Sequence, residues 1–334
     1  MEKPSQMQVF DALYAMAAGD GREEALFGSC APLAREAFRR SLAGDGFPIV
    51  WFEIPLMGAA RFDLHVALSR AMLHAKARFL PNAGNGYDAL FRWYEEDETG
   101  GGGLAFAYDT SEGCIDDPAV HVNVNNAPLS DMNRFFNLTV GDGAADRYAG
   151  FVDRLPQGWR VWYAGVHPGR PGAPVRVDCF INGELQAAYA SDISLLERDL
   201  RSCGYAAVGS ALGELAMAVL ESPFGLELQF DVMDDGSVGP TLGVSAGFPF
   251  GTARSVRPLF EEGGAASDLM RTIEGMGLAD GRWRHVPGAT FSKLVPCGGG
   301  MLALYCAPTF VKLRMRDGGP LDAKVYLQAG ASVM

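Results

Sequence analysis

The chain has 334 residues, with 40 acidic and 28 basic side chains, a formal net charge of −12 and an isoelectric point near 4.9. An acidic surface repels phosphate backbones, so we expect no nucleic-acid partner. Hydrophobic residues make up 48% of the chain and charged residues 20%, proportions typical of folded domains and not of disordered chains. These proportions predict that the chain folds around a sizeable core.

Membrane insertion and disulfide bonding are not indicated. Gln8, Asp11 and Asp20 interrupt the apolar amino terminus, and no later stretch contains 18 consecutive apolar residues. The six cysteines are widely spaced without a CxxC pair, which argues against a zinc site and against a disulfide framework. We therefore expect a cytoplasmic protein with reduced thiols and no membrane partner.

Pairs of short strand-like runs alternate along the chain with helix-like segments. Short connections rich in Gly, Asp and Pro separate the two runs of most pairs, as in FDVMDDGSVGPTL and RMRDGGPLDAK. The predicted strand pairs span 47–69, 104–126, 159–181, 225–248 and 309–329. The predicted helical segments span 7–43, 70–96, 129–155, 192–221 and 256–294.

This order of elements determines the predicted fold class. Strands joined by tight turns are antiparallel, because a parallel pair needs a long crossover connection. Ten antiparallel strands leave no exposed edges when the sheet closes on itself. We therefore predict an α+β fold: a closed ten-stranded antiparallel β-barrel built from five αββα repeats, with the helices outside and one domain over residues 1–334.

Polar and apolar residues alternate along the strands, and the alternation predicts which face is internal. If helices cover the barrel, the apolar face points outward and the polar face into the lumen. In the first pair, Phe62 and Leu64 alternate with Arg61, Asp63 and His65, and the later pairs follow the same rule. The alternative is a half-exposed sheet whose polar faces point to water.

Basic residues are concentrated near the carboxyl end of an otherwise acidic chain. Residues 301–334 contain four basic side chains, Lys312, Arg314, Arg316 and Lys324, against Asp317 and Asp322. Cations on adjoining strands repel one another unless a bound anion or buried carboxylates balance them. A diphosphate is a suitable anion, since Arg offers a planar fork and Lys a point charge.

Five strand pairs separated by helices, a polar lumen and interior Lys, Arg and Tyr on late strands resemble the ABBA-fold prenyltransferases, particularly the peptide-modifying branch from cyanobactin-type pathways. The resemblance covers nearly the whole chain by element order and includes no specific linear motif. It implies a transferase that moves an allylic prenyl group from a prenyl diphosphate to an aromatic or peptide side-chain acceptor in the lumen. It implies no firm cofactor, although Mg²⁺ could accompany the diphosphate.

The resemblance also suggests roles for individual residues. Glu53, in FEIPL, matches the position of an acceptor-orienting catalytic carboxylate. The diphosphate candidates are Arg61, Arg176, Lys312, Arg314 and Lys324, with Tyr326 as a shielding ring. The candidates for the prenyl and acceptor pocket are Trp51, His65, His121, Trp162, Phe180, Glu227 and Gln229. Taken singly, each charge could instead be solvated and each ring could be core packing.

Other signals are discounted, and a second function stays open. Asp231, Asp234 and Asp235 suggest an aspartate-rich magnesium site, but Gly236 follows them and predicts a hairpin turn. The run 100–103 lacks a following GK[ST], and neither HExxH nor GxSxG occurs, so no metal ligands are assigned. The alternative function is a non-catalytic barrel that binds a peptide or small molecule in a peptide-modification pathway. A lumen plugged by Phe and Trp would favour that alternative.

Overall fold

The strands form one antiparallel sheet. The computed structural model describes residues 4–42, 46–69, 72, 103–124, 129–141, 143–170, 172–249, 253–298 and 300–334. Its strands are β1 Ile49–Pro55, β2 Asp63–Leu68, β3 Leu104–Asp109, β4 Cys114–Asn123, β5 Trp159–Val166, β6 Val175–Ile181, β7 Gly225–Val232, β8 Val238–Gly247, β9 Phe291–Cys297, β10 Gly300–Arg316 and β11 Gly319–Val333.

Helices occupy the segments between the strand pairs. They are α1 Gln6–Ala18, α2 Ala31–Ser41, α3 Leu129–Thr139, α4 Ala144–Val152, α5 Gly183–Ser191, α6 Ile193–Ser202, α7 Ser210–Leu220, α8 Ala253–Val256, α9 Ala265–Gly275 and α10 Val286–Ala289. Asp192 caps α6, because its side chain accepts a hydrogen bond from the Ser194 backbone N–H. Within the described ranges, no helix is long and apolar enough to cross a membrane.

Ten of the strands close into a barrel. Strands β1 to β8 follow one another in order, β10 pairs with β8, and β11 pairs with both β10 and β1. The eleventh strand, β9, pairs with the first half of β10, outside the closed ring. The predicted ten-stranded antiparallel barrel is therefore confirmed.

Three elements differ from the sequence-based prediction. The segment 256–294 was expected to be helical, yet β9 begins at Phe291, and β10 begins at Gly300 instead of near 309. The early part of β10 has a partner strand on each side, since Leu302 pairs with Val295 on β9 and with Val333 on β11. Helix α5 lies where no helix was predicted, because only Tyr189 among its residues is buried and no apolar stripe marks it.

One predicted helix and one discounted loop cannot be compared with the structure. The helical segment predicted over 70–96 lies outside the described residues, apart from Met72. The glycine run 100–103 also lies outside them, apart from Gly103.

The hydrophobic core lies between the barrel and the helices. Val177, Leu228 and Phe230 point out of the barrel and are fully buried. The ring of Phe151 on α4 lies 5.2 Å from that of Phe230, and both belong to one continuous core cluster. Because the apolar strand faces are covered in this way, the polar faces are directed into the lumen.

Candidate active site

The barrel encloses a cavity of about 770 Å³. This volume is within the range of small-molecule sites, which is roughly 300–1,000 Å³. All fourteen residues predicted for the site line this one cavity. The structure thus places them together, and their individual roles stay predictions.

Small inward-facing residues provide the open space. Ala105 and Ala107 on β3, Ala119 on β4, and Gly243 and Gly247 on β8 all line the cavity. Their neighbours in the same barrel present long charged or aromatic side chains. These small residues leave room in the lumen for the longer side chains and for a ligand.

Glu53 is the centre of a buried hydrogen-bonded network. Its Oε1 accepts a hydrogen bond from Lys324 Nζ, and its Oε2 lies 2.8 Å from His65 Nε2. Burial alone would raise the pKa of the Glu53 carboxyl, but Lys324 and His65 outweigh burial and hold that pKa well below its usual range. Tyr326 faces Glu53 on the neighbouring strand, and burial together with this carboxylate raises the pKa of the tyrosine well above its usual value.

Two histidine rings extend this network across the lumen. The rings of His65 and His121 stack with their centroids 6.0 Å apart. Burial, with His65 and Arg176 nearby, lowers the pKa of His121 well below its usual value, so His121 is neutral at physiological pH. Gly165 permits the position of His121, because a Cβ at residue 165 would lie 2.6 Å from the imidazole Nδ1.

Most of the predicted diphosphate ligands are paired with carboxylates. Arg176 Nε donates to Asp231 at 3.0 Å, and Arg314 makes a bidentate pair with Asp322. Lys312 Nζ lies 3.9 Å from Asp178. These three aspartates were not among the predicted site residues. Each nevertheless lies two residues from a predicted site residue on its strand, and so on the same face of that strand.

The pairing leaves the lumen close to electrically neutral. Among the described lining residues, eight Asp and Glu face eight Lys and Arg. Burial lowers the pKa of Lys312 and raises that of Asp178, and in each case the partner's charge opposes the shift. The lumen cations can therefore bind an anionic ligand only where the ligand replaces a carboxylate as their partner or binds beside it.

Aromatic rings line two walls of the cavity. Phe310, which the sequence reasoning did not single out, stacks on Tyr326 at 4.0 Å, and Lys312 Nζ lies 5.4 Å from the Tyr326 centroid. Across the barrel, the ring centroids of Trp162 and Phe180 are 6.4 Å apart. Ring faces attract cations, so both walls can stabilise positive charge.

The aspartate-rich run does not form a metal site among the described residues. Asp235 accepts a hydrogen bond from the Ser237 backbone N–H within the β7–β8 turn, and Asp234 pairs with Arg147. Only Asp231 of this run lines the cavity. The interpretation of Asp234–Gly236 as a turn is confirmed, with Gly236 at φ +77°.

The chain is similar in structure to dimethylallyl tryptophan synthases. The 5-dimethylallyltryptophan synthase from Streptomyces coelicolor is 13% identical with a TM-score of 0.52, and the match covers 98% of this chain and 97% of that chain. A 6-dimethylallyl tryptophan synthase is 15% identical with a TM-score of 0.56, covering 97% and 94%.

A further structure of the Streptomyces coelicolor enzyme, in complex with DMASPP and Trp, is 12% identical with a TM-score of 0.51, covering 98% of this chain and 95% of that chain. No protein-family model and no curated protein matches the sequence. At sequence identities of 12–15%, this structural similarity shows only that the chains share a fold. The predicted ABBA-type barrel is confirmed at that level, while the peptide-modifying branch is not distinguished.

Proposed function

We propose that this protein is a prenyltransferase that moves an allylic prenyl group from a prenyl diphosphate to an aromatic or peptide side-chain acceptor. The observation that carries the proposal is one open chamber that contains Glu53, the cation set and two aromatic walls. A lumen filled by Phe and Trp would have favoured the non-catalytic barrel, but a cavity of about 770 Å³ remains. Three solved structures with the same fold are named dimethylallyl tryptophan synthases, and one of them holds DMASPP and Trp, which supports these two ligand classes.

The donor diphosphate would bind to the cations on β6, β10 and β11 and to Arg61, which precedes β2. Arg176 and Arg314 offer guanidinium forks and Lys312 and Lys324 offer point charges, while Arg61 approaches from the end of the lumen near β2. Because carboxylates already hold Arg176, Lys312 and Arg314, the diphosphate would share or replace Asp231, Asp178 and Asp322 as their partners.

Catalysis would then be electrostatic. The bond between the allylic carbon and the diphosphate oxygen breaks, and its electron pair leaves with the diphosphate. Fixed cations stabilise that leaving group, and the faces of Tyr326 and Phe310 shield the allylic cation. The acceptor supplies the electron pair of the new bond and loses a proton, and Glu53 orients the acceptor and takes up that proton.

The described residues do not fit a magnesium ion held by the protein. They include no group of three or more His, Cys, Asp or Glu side chains arranged for a metal. The lumen carboxylates Glu53, Asp231 and Asp322 are each bound to a Lys or Arg side chain. Any Mg²⁺ that accompanies the donor would therefore be bound through the diphosphate oxygens, and no step of the proposal requires it.

A transfer assay tests the proposal directly. The protein is incubated with dimethylallyl or geranyl diphosphate and a panel of aromatic amino acids, aromatic amines and peptides, and the products are identified by mass spectrometry. We expect an acceptor that gains one prenyl group, with an equal amount of pyrophosphate released. Samples without acceptor measure simple hydrolysis. No transfer across all donors and acceptors, together with tight peptide binding, would support the non-catalytic barrel instead.

A further inference from the structure

Among the described residues, one carboxylate on the inward face of a strand has no protein partner. Glu227 lies on the inward face of β7, on the side of the barrel away from Glu53, and lines the cavity. It makes no hydrogen bond or ion pair with any residue that the structure describes. Glu53, Asp178, Asp231 and Asp322 in the same lumen each contact a Lys or Arg. Glu227 therefore differs from the carboxylates that balance the cations.

The surroundings leave the Glu227 carboxylate open to the cavity. Gly225 and Gly247, which pair with each other, both line the lumen beside it. A Cβ at Gly247 would lie 3.6 Å from Glu227 Oε1, so the glycine leaves one side of the carboxylate uncovered. On the other side, Phe180 is the register partner of Glu227, and its ring lies 6.4 Å from that of Trp162.

The titratable groups that act on Glu227 come from β5, β6 and β10. Asp178 on β6 and Lys312 on β10 act on it most directly, and Lys312 already contacts Asp178. Tyr163 on β5 also interacts with Glu227, and Arg160 on β5 lies 5.9 Å from the Phe180 ring. Burial and Asp178 raise the pKa of Glu227 to about 7, and Lys312 opposes this shift. A cationic group at this position would compensate the carboxylate.

We propose that Glu227 binds a protonated amine of the acceptor, so that the acceptor is an aromatic compound or peptide with an ammonium group near its ring. The identification of this ligand as the acceptor rests on the proposed function. The ammonium contacts the carboxylate directly, in a charge-assisted hydrogen bond. The aromatic part of the ligand then extends across the lumen toward Glu53.

The proposal predicts that binding of the amine is coupled to loss of a proton from Glu227. An ammonium ion binds the ionised form of Glu227 and therefore lowers the pKa of that carboxyl. Below about pH 7, where Glu227 is largely protonated in the free protein, binding must release a proton. The preference for an amine is consequently largest above pH 7 and becomes smaller as the pH falls.

Calorimetry with two matched probes tests this site without using transfer. Tryptamine and tryptophol share the indole ring and differ in an ammonium or a hydroxyl group. At pH 8 we expect the native protein to bind tryptamine roughly tenfold or more tightly than tryptophol. Glu227→Gln should remove the preference, and Gly247→Val, which fills the space beside the carboxylate, should weaken tryptamine binding. Glu112→Gln, an exposed carboxylate of the same lumen, should keep the preference.

The outcomes separate this inference from the proposed function. Equal affinity for the two probes, no saturable tryptamine binding, or an unchanged preference in Glu227→Gln would each overturn the amine site. Proton release near pH 6.5, measured in buffers with different ionisation enthalpies, should occur in the native protein and be absent in Glu227→Gln. If tryptamine binds through Glu227 but no prenyl group is transferred, the amine site stands and the proposed function fails.

Discussion

Lys324→Met should lower the free energy of unfolding, and the size of this loss should depend on pH. The side chains of Lys324 and Glu53 are only 14% and 11% exposed. Removing one member of a buried ion pair typically costs about 3–5 kcal/mol, because the other charge is left without compensation. His65 still contacts Glu53 at 2.8 Å, so we expect the lower end, about 3 kcal/mol, at pH 8.

The direction of the pH dependence follows from the pKa of Glu53. In the native protein this pKa is well below its usual value, so the stabilising contribution is present above the usual carboxylate range and is lost as the pH falls through the folded-state pKa. Without Lys324, burial dominates and raises the pKa of Glu53 above that of the unfolded chain. The variant therefore loses stability as the pH rises, and its deficit is larger at pH 8 than at pH 5.

Chemical denaturation at both pH values provides the measurement. The double variant Glu53→Gln/Lys324→Met has no buried charge at this position and should recover much of the lost stability at pH 8. Lys293→Met, on the exposed face of β9, is the control for loss of a lysine and should change stability by less than about 0.5 kcal/mol. An equal deficit at both pH values, or no recovery in the double variant, would refute the reasoning.

Four further substitutions test the acceptor base, the anion site and one tight contact. Glu53→Gln keeps the side-chain volume but removes the base, and should lower prenyl-transfer turnover roughly 10²–10⁴-fold; native turnover would remove Glu53 from the mechanism. Lys312→Ala and Arg314→Ala should each weaken pyrophosphate binding in calorimetry by about 1.5–3 kcal/mol, and unchanged affinity would show that the diphosphate binds elsewhere. Gly28→Ala should cost at least about 2 kcal/mol in thermal or chemical unfolding, since φ is +60° and the new Cβ would lie 1.8 Å from the Ala60 carbonyl oxygen. A fully stable Gly28→Ala protein would contradict that contact.

Local patterns in the sequence were sufficient to predict the barrel and the composition of its lumen. The alternation of Leu226, Leu228 and Phe230 with Glu227 and Gln229 sorts the two faces of β7 without any tertiary information, because successive strand residues point to opposite sides. Tight turns after paired strands likewise indicate an antiparallel sheet. These signals extend over a few residues, which is why they can be read from the chain alone.

The partners of the charged side chains were decided by the tertiary structure. Lys324 and Glu53 are 271 residues apart in the chain, and Arg176 and Asp231 are 55 apart. Closure of the barrel sets the register between the first and last strands, so it decides which carboxylate meets which cation and leaves Glu227 without a partner in the described part of the chain. The extension of β10 beyond the ring has the same origin, since its pairing with the end of β11 depends on contacts that no local period encodes.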